Sequence, residues 1–143
     1  MVTASNHPVV LLDTGPLVAI LSRNDQAHAW AKTQFAMFPA PFLTCEAVIS
    51  EACFVLRKLS GGARGVLALL ESGAVQIEFN LAMEAANIRK LLDRYHHVPG
   101  ALADVCLVRM SELHERCLVL SLDSDFQIYR RHGRQTIPLS RPE

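Results

Sequence analysis

Four acidic residues sit where carboxylates could do chemistry together. Asp13 directly follows the apolar run Val9-Val10-Leu11-Leu12, and Asp123 directly follows a second expected buried strand, Leu118 to Leu122. Glu51 lies inside a helical pattern, and its neighbours three and four residues away are Ala47, Val48, Phe54 and Val55, all apolar. A carboxylate on such a face is costly unless something pairs with it. Asp104 opens a further helical stretch that runs to His114, with Leu107 and Val108 on its face. Each acid alone has an ordinary explanation: Asp13 and Asp123 as helix caps, Asp104 as a first-turn acid, Glu51 as half of a salt bridge. Together they do not, because two carboxylates about 4 Å apart repel by roughly 4 kcal/mol at an effective dielectric of 20. No lysine or histidine stands beside any of them in the sequence. A divalent cation is the simplest counter-charge, and an all-carboxylate set suits Mg²⁺ or Mn²⁺ rather than zinc. Glu46 is excluded from this set. It points about 140° away from Glu51 around the helix, and its place in the first turn explains it.

The elements that must position these acids can be read along the chain. Val9–Leu12 has the β-branched, wholly apolar character of a buried parallel strand. Asp13-Thr14-Gly15-Pro16 ends it, and a helix is predicted from about Pro16. A second helix is expected near Asp25 to Met37, stopped by Pro39 and Pro41. Thr44 to Leu59 reads as a helix with Thr44 as its cap and Gly61-Gly62 as its end. A short helix follows from Gly62 to Ser72. Val75, Ile77 and Phe79 alternate as in a strand, and Leu81 to Tyr95 is an amphipathic helix broken by Pro99-Gly100. After the Asp104 helix come a buried strand at Leu118–Leu122, a short helix behind Asp123, and an edge strand over Thr136 to Leu139. Strands alternating with helices give a short, mostly parallel central sheet in a three-layer α/β/α sandwich. Ligands bind such sheets at the carboxyl ends of the strands, where Asp13 and Asp123 fall.

Length and composition agree. At 143 residues the chain is one domain, 1–143, and with 50% hydrophobic and 20% charged residues it is neither disordered nor low in complexity. No apolar run reaches the roughly 18–20 residues of a membrane span, and Met1 to Pro8 lacks a signal peptide's pattern. A cytoplasmic protein is expected. Cys45, Cys53, Cys106 and Cys117 have neither disulfide-framework nor zinc spacing and read as buried thiols. The 14 basic and 14 acidic residues cancel. Setting aside Asp13, Glu51, Asp104 and Asp123 leaves ten acids against those 14 bases. The stretch from Phe126 to Glu143 alone has four arginines and one acid, so a neutral total does not exclude a polyanionic substrate.

The sequence resembles the PIN domain, the fold of many metal-dependent ribonucleases, including the VapC-type toxins of toxin–antitoxin pairs. The resemblance lies in Val9-Val10-Leu11-Leu12-Asp13-Thr14-Gly15-Pro16-Leu17, Ser50-Glu51-Ala52 with Val55-Leu56-Arg57 behind it, Leu102-Ala103-Asp104-Val105-Cys106-Leu107-Val108, and Leu120-Ser121-Leu122-Asp123-Ser124-Asp125-Phe126. It implies that Asp13, Glu51, Asp104 and Asp123 form an acidic quartet around Mg²⁺ or Mn²⁺. Thr14 and Ser121 match positions that often hold a hydroxyl near the metal, and Asp125 matches a further acid found in some members. It also implies an RNA substrate, hydrolysis of phosphodiester bonds, an antitoxin partner and a homodimer. Ser121 replaces the more usual threonine, and Cys106, Arg109 and Met110 stand where smaller or aliphatic residues are commoner.

The same residues admit two further pairs of readings. Arg130, Arg131 and Arg134 form either a solvated helix end or a phosphate-contacting rim beside the acids. The whole domain is either a nuclease or a non-cleaving RNA- or protein-binding module regulated by a partner. A haloacid-dehalogenase phosphatase is excluded because Gly15 stands where its second aspartate would be. A receiver domain is excluded because Val75–Phe79 carries no Asp and no Lys follows Lys90. The histidines take no catalytic role. Trp30, Phe35 and Phe38 read as core packing in preference to base stacking.

Overall fold

The computed structural model of the chain describes residues 7–98, 100 and 102–143. The segment before His7, and Pro99 of the expected Pro99-Gly100 break, lie outside the described residues. Five strands form one sheet: β1 (Val9–Leu12), β2 (Phe42–Thr44), β3 (Val75–Ile77), β4 (Cys117–Leu120) and β7 (Leu139–Ser140). Their spatial order is β3-β2-β1-β4-β7, and every neighbouring pair is parallel. A separate antiparallel hairpin joins β5 (Arg130–Arg131) to β6 (Gln135–Thr136). Among the described residues, six helices flank the sheet: α1 (Thr14–Leu21), α2 (His28–Met37), α3 (Glu46–Val55), α4 (Gly62–Glu71), α5 (Leu81–Arg94) and α6 (Leu102–Leu113). The result is the expected three-layer α/β/α sandwich.

β1 is the centre of the molecule. Leu11 and Leu12 on β1, and Val119 and Leu120 on the adjacent β4, have no exposed surface. Burying each such side chain stabilises the fold by about 1.5–3 kcal/mol. α6 packs across β1 and β4, and α5 packs on α6. α1 packs with α2, α3 and α4. Because β1 and β4 pair in register from Val9–Cys117 to Leu12–Leu120, the residues that follow them emerge side by side. That register delivers Asp13 and the Ser121–Asp123 segment to one edge.

The largest departure from the sequence reading lies at Thr44. The expected helix from Thr44 to Leu59 is present over the shorter span of α3, while Thr44, its expected cap, instead ends strand β2, which the sequence pattern does not reveal. The Thr44 hydroxyl does not cap a helix. It donates to the Leu12 carbonyl at 2.7 Å, fully buried, and so ties the end of β2 to the end of β1. Phe42-Leu43-Thr44 is too short for alternation to reveal, and its partners Leu11 and Val75–Ile77 are more than 30 residues away on either side.

Smaller shifts have local causes. α1 begins at Thr14 rather than Pro16, because the Asp13 side chain caps it through the Thr14 N–H. Pro16 is tolerated in that first turn, where backbone N–H groups have no intrahelical partner. α2 begins at His28, since Asp25 Oδ1 accepts the Ala27 N–H at 2.8 Å and holds the preceding residues in a turn. The residues behind Asp123 form a single 3₁₀ turn, Ser124–Gln127. The edge strand is Leu139–Ser140, while Thr136 belongs to the hairpin.

Candidate metal centre

The acids meet at the carboxyl ends of the strands in a cleft of about 280 Å³ lined by Asp13, Thr14, Glu51, Asp104 and Asp123, with Gly15 and Leu122. Asp13 reaches it directly from β1. Its Oδ1 accepts the Thr14 N–H at 2.8 Å and its Oδ2 accepts the Ser121 hydroxyl at 2.7 Å. Ser121, itself fully buried, also accepts the Asp123 N–H at 2.9 Å. One hydroxyl thus fixes both the Asp13 carboxylate and the turn that presents Asp123. Asp123 Oδ1 in turn accepts the Asp125 N–H at 2.8 Å. Gly15 makes the close approach possible, because a Cβ there would lie 2.8 Å from the Leu122 side chain. α3 supplies Glu51, whose Oε2 accepts the Thr14 hydroxyl at 2.8 Å.

α6 supplies Asp104 from its first turn. Its Oδ2 accepts the Tyr129 hydroxyl at 3.1 Å. Tyr129 is buried and makes edge-on contacts with Tyr95 and Phe126, with ring centroids 5.0 and 5.3 Å apart. Those rings hold its hydroxyl in place. Gly100 completes the packing, since a Cβ at that position would overlap the Tyr129 hydroxyl and come within 2.8 Å of Asp104 Oδ2. The Tyr129 contact spans 25 residues, and no local pattern in the sequence could have signalled it.

The carboxylates bear the electrostatic cost of this crowding. Asp104 is pushed up to about 7, first by burial and then by the charge of Asp13, with Asp123 and Glu51 adding and the Tyr129 hydrogen bond opposing. Burial also raises Asp13. The Ser121 hydroxyl and Thr14 N–H oppose that rise, while Asp123 and Glu51 add to it. Asp125 is raised by burial and by Asp123. Burial and the charge of Asp104 push the Tyr129 hydroxyl up as well, so it stays protonated as a donor.

A divalent ion fits these residues. Asp104, Asp123 and Asp125 each place a carboxylate oxygen within 4.8 Å of the other two. The donor set is all oxygen, which favours hard ions. Among the described residues, the ion pairs are Arg109–Glu84 and Arg109–Glu112, and neither involves these acids. Buried carboxylates that crowd one another without a cation are set up to receive one. No histidine is among the residues that line the cleft.

A sequence model of the PIN domain matches residues 10–131. The chain belongs to the PIN domain family. Among solved structures, this PIN domain is similar to the crystal structure of the VapC20 toxin of Mycobacterium tuberculosis, a toxin that cleaves the sarcin–ricin loop. The two share 21% identity with a TM-score of 0.75, over 83% of this chain and 93% of that one. At that identity the likeness is one of fold. No curated protein matches the chain.

The arginines of this PIN domain distribute unevenly. Arg131 is buried, and its Nη2 donates to the His114 carbonyl at 3.1 Å, just past the end of α6. Asp104 and His114 are ten residues apart along that helix, about 15 Å. Arg131 therefore braces the far end of α6 and does not line the cleft. Arg130 curls back through Nη1 onto the carbonyls of Gln127, Ile128 and Tyr129. Arg134 is exposed in the hairpin turn.

Proposed function

We propose that this PIN domain is a metal-dependent endoribonuclease that hydrolyses RNA phosphodiester bonds and acts as the toxin of a toxin–antitoxin pair. The observation that carries this reading is the set of crowded carboxylates at the strand ends of a PIN fold, which no basic side chain among the described residues pairs with. Asp13, Asp104 and Asp123 would hold Mg²⁺ or Mn²⁺, with Asp125 within reach of the same position. Glu51 would hold a second ion or orient water from the opposite wall. The ion would offset negative charge developing on the phosphate and activate water for attack. The chain's own contribution is placement. Ser121 and Thr14 fix the Asp13 and Glu51 carboxylates, Tyr129 fixes Asp104, and burial keeps bulk water from screening them. Arg130 and Arg134 remain the basic groups of the proposed substrate rim.

The family resemblance supports an antitoxin partner and a homodimer. Phe54, Val55, Leu59 and Leu67, on α3, α4 and the turn between them, are large apolar side chains left exposed over about half of their surface or more. Such a surface is suited to being covered in an assembly. The four free cysteines suit a reducing compartment, hence the cytoplasm. No helix among the described residues is long and apolar enough to cross a membrane.

The decisive experiment is cleavage of single-stranded RNA by purified protein in Mn²⁺ or Mg²⁺, with EDTA and Asp13→Asn as controls. Cleavage that both controls abolish is expected. Metal-independent cleavage, or an Asp13→Asn variant as active as wild type, would falsify the assignment. RNA binding without cleavage would return the domain to a binding module.

A further inference from the structure

Leu122 separates two concavities. One is the acidic cleft. The other is a cavity of about 360 Å³ walled by Trp30, Leu122 and Pro142, with Asp25, Gln26 and Glu143 as its polar groups. Its size is within the range of small-molecule sites. Trp30 is in the first turn of α2. It packs against the hydrophobic core on one side yet stays partly exposed, so the indole is at once anchored and available. An indole that only filled the core would not line a cavity.

The polar groups narrow the choice of occupant. Asp25 and Glu143 are acceptors and carry negative charge, so they repel a phosphate and suit the N–H edge of a heterocycle. Asp25 is fixed at the rim by its bond from the Ala27 N–H. The cation lies elsewhere. Arg141 Nη2 donates to the Leu122 carbonyl at 3.4 Å, which sets a guanidinium beside the backbone that divides the two concavities. An indole and two acceptors in one cavity, a guanidinium bonded to the Leu122 backbone that both concavities share, and an acidic cleft on its other side match a base, its backbone and an adjoining phosphate.

We propose that the Trp30 cavity is a nucleobase subsite, in which an unpaired base of the RNA stacks on Trp30 while an adjoining phosphate occupies the acidic cleft across Leu122. The substrate is single-stranded at this position, because a base held in a duplex stack cannot present its face to a side chain. The subsite rests on the ribonuclease reading of the acidic cleft for its place in the reaction, although the stacking contact itself does not need catalysis.

Trp30 is the sole tryptophan of the chain, so its fluorescence reports on this cavity alone. Titrating the wild-type protein in Mn²⁺ with AMP or CMP should quench that fluorescence saturably, and inorganic phosphate should not. Trp30→Leu should raise KM for a short oligoribonucleotide roughly ten-fold, the size expected for losing one base–aromatic stack. The Mn²⁺ affinity measured by calorimetry should stay unchanged, and Trp30→Phe should restore most of the KM. Cleavage without nucleotide quenching, or a folded Trp30→Leu variant with wild-type KM, overturns the subsite and leaves the nuclease reading standing. Quenching without cleavage in any metal upholds the stacking site and overturns the nuclease reading. If Trp30→Leu loses its circular-dichroism melting transition, wild-type quenching and the Trp30→Phe KM decide.

Discussion

Helix α6 carries members of two carboxylate clusters that the protein treats in opposite ways. Toward its C-terminus, Arg109 gathers Glu84 from α5 and Glu112 from the next turn. The guanidinium donates to both Glu84 oxygens at 3.0–3.2 Å and to Glu112 at 3.2 Å. Arg109 accordingly holds the Glu84 carboxyl below its usual range. In the first turn of the same helix, Asp104 is buried against Asp13, Asp123 and Asp125 with a tyrosine hydroxyl and no cation, and it rises to about 7. Both clusters gather acids from distant parts of the chain, yet only the first brings its own positive charge. A cluster that carries its own cation fastens α5 to α6. A cluster left short of positive charge keeps its carboxylates in mutual repulsion, which a divalent cation would relieve. The difference separates structure from function more sharply than the acids themselves do. It also accounts for Arg109, which departs from the pattern of the resembled family because here it serves the α5–α6 contact.

The contrast can be tested at several strengths. The largest effect is expected in the cleft: Asp104→Asn should lower the rate of RNA cleavage in Mn²⁺ by at least about 100-fold, since even outer-shell partners of a metal are worth 10–100-fold. Single-turnover kinetics measures this. Glu84→Gln should leave that rate within a factor of two, and a matching loss in Glu84→Gln would erase the distinction. Ser121→Ala comes next. It removes the hydroxyl shared by Asp13 and the Asp123 turn, so a loss of roughly 10–100-fold is expected in cleavage or in calorimetric Mn²⁺ affinity.

Metal should also stabilise the fold. At a hundred-fold excess over Kd, Mn²⁺ should raise the Tm by about 5–10 °C, and Asp104→Asn should lose most of that rise. Equal Mn²⁺ shifts in both proteins would place the ion elsewhere.

The two clusters should further respond to pH with opposite signs. Folded Asp104 holds its proton up to about 7, while the unfolded chain releases it near the model-peptide value of 3.8. Between these values the folded state binds more protons, so its contribution makes the metal-free protein less stable as pH rises from about 4 to 7. Glu84 runs the other way, because its stabilisation is present above its unfolded value near 4.5 and is lost as pH falls. Urea melts of the metal-free protein across that range, with Asp104→Asn flattening the decline, measure the first sign. The smallest expected effect is the cost of Glu84→Gln at neutral pH, about 0.5–1 kcal/mol for a partly exposed ion pair. An equal cost in Asp104→Asn would contradict the picture, because that substitution removes a repelled charge.

Local sequence determined much of this protein. The apolar β-branched run Val9–Leu12 specifies a buried strand. Asp13 after it specifies a cap and a strand-end carboxylate, and the helical face around Glu51 marks that acid as needing a partner. The parallel layered architecture follows from alternating strands and helices. These signals are legible because strand burial, helix period and capping each act within a few residues. The tertiary structure alone decided the rest. β2 is a strand only because Leu11 and Val75–Ile77 pair with it on either side. Thr44 is a strand tie rather than a cap because the Leu12 carbonyl lies within its reach. Tyr129 reaches Asp104, Ser121 bridges Asp13 to Asp123, and Arg131 is drawn to the far end of α6 rather than to the cleft. Each of these depends on a contact between residues far apart in the chain. Such a contact exists only after the core has closed and set the register, so no window of sequence contains it.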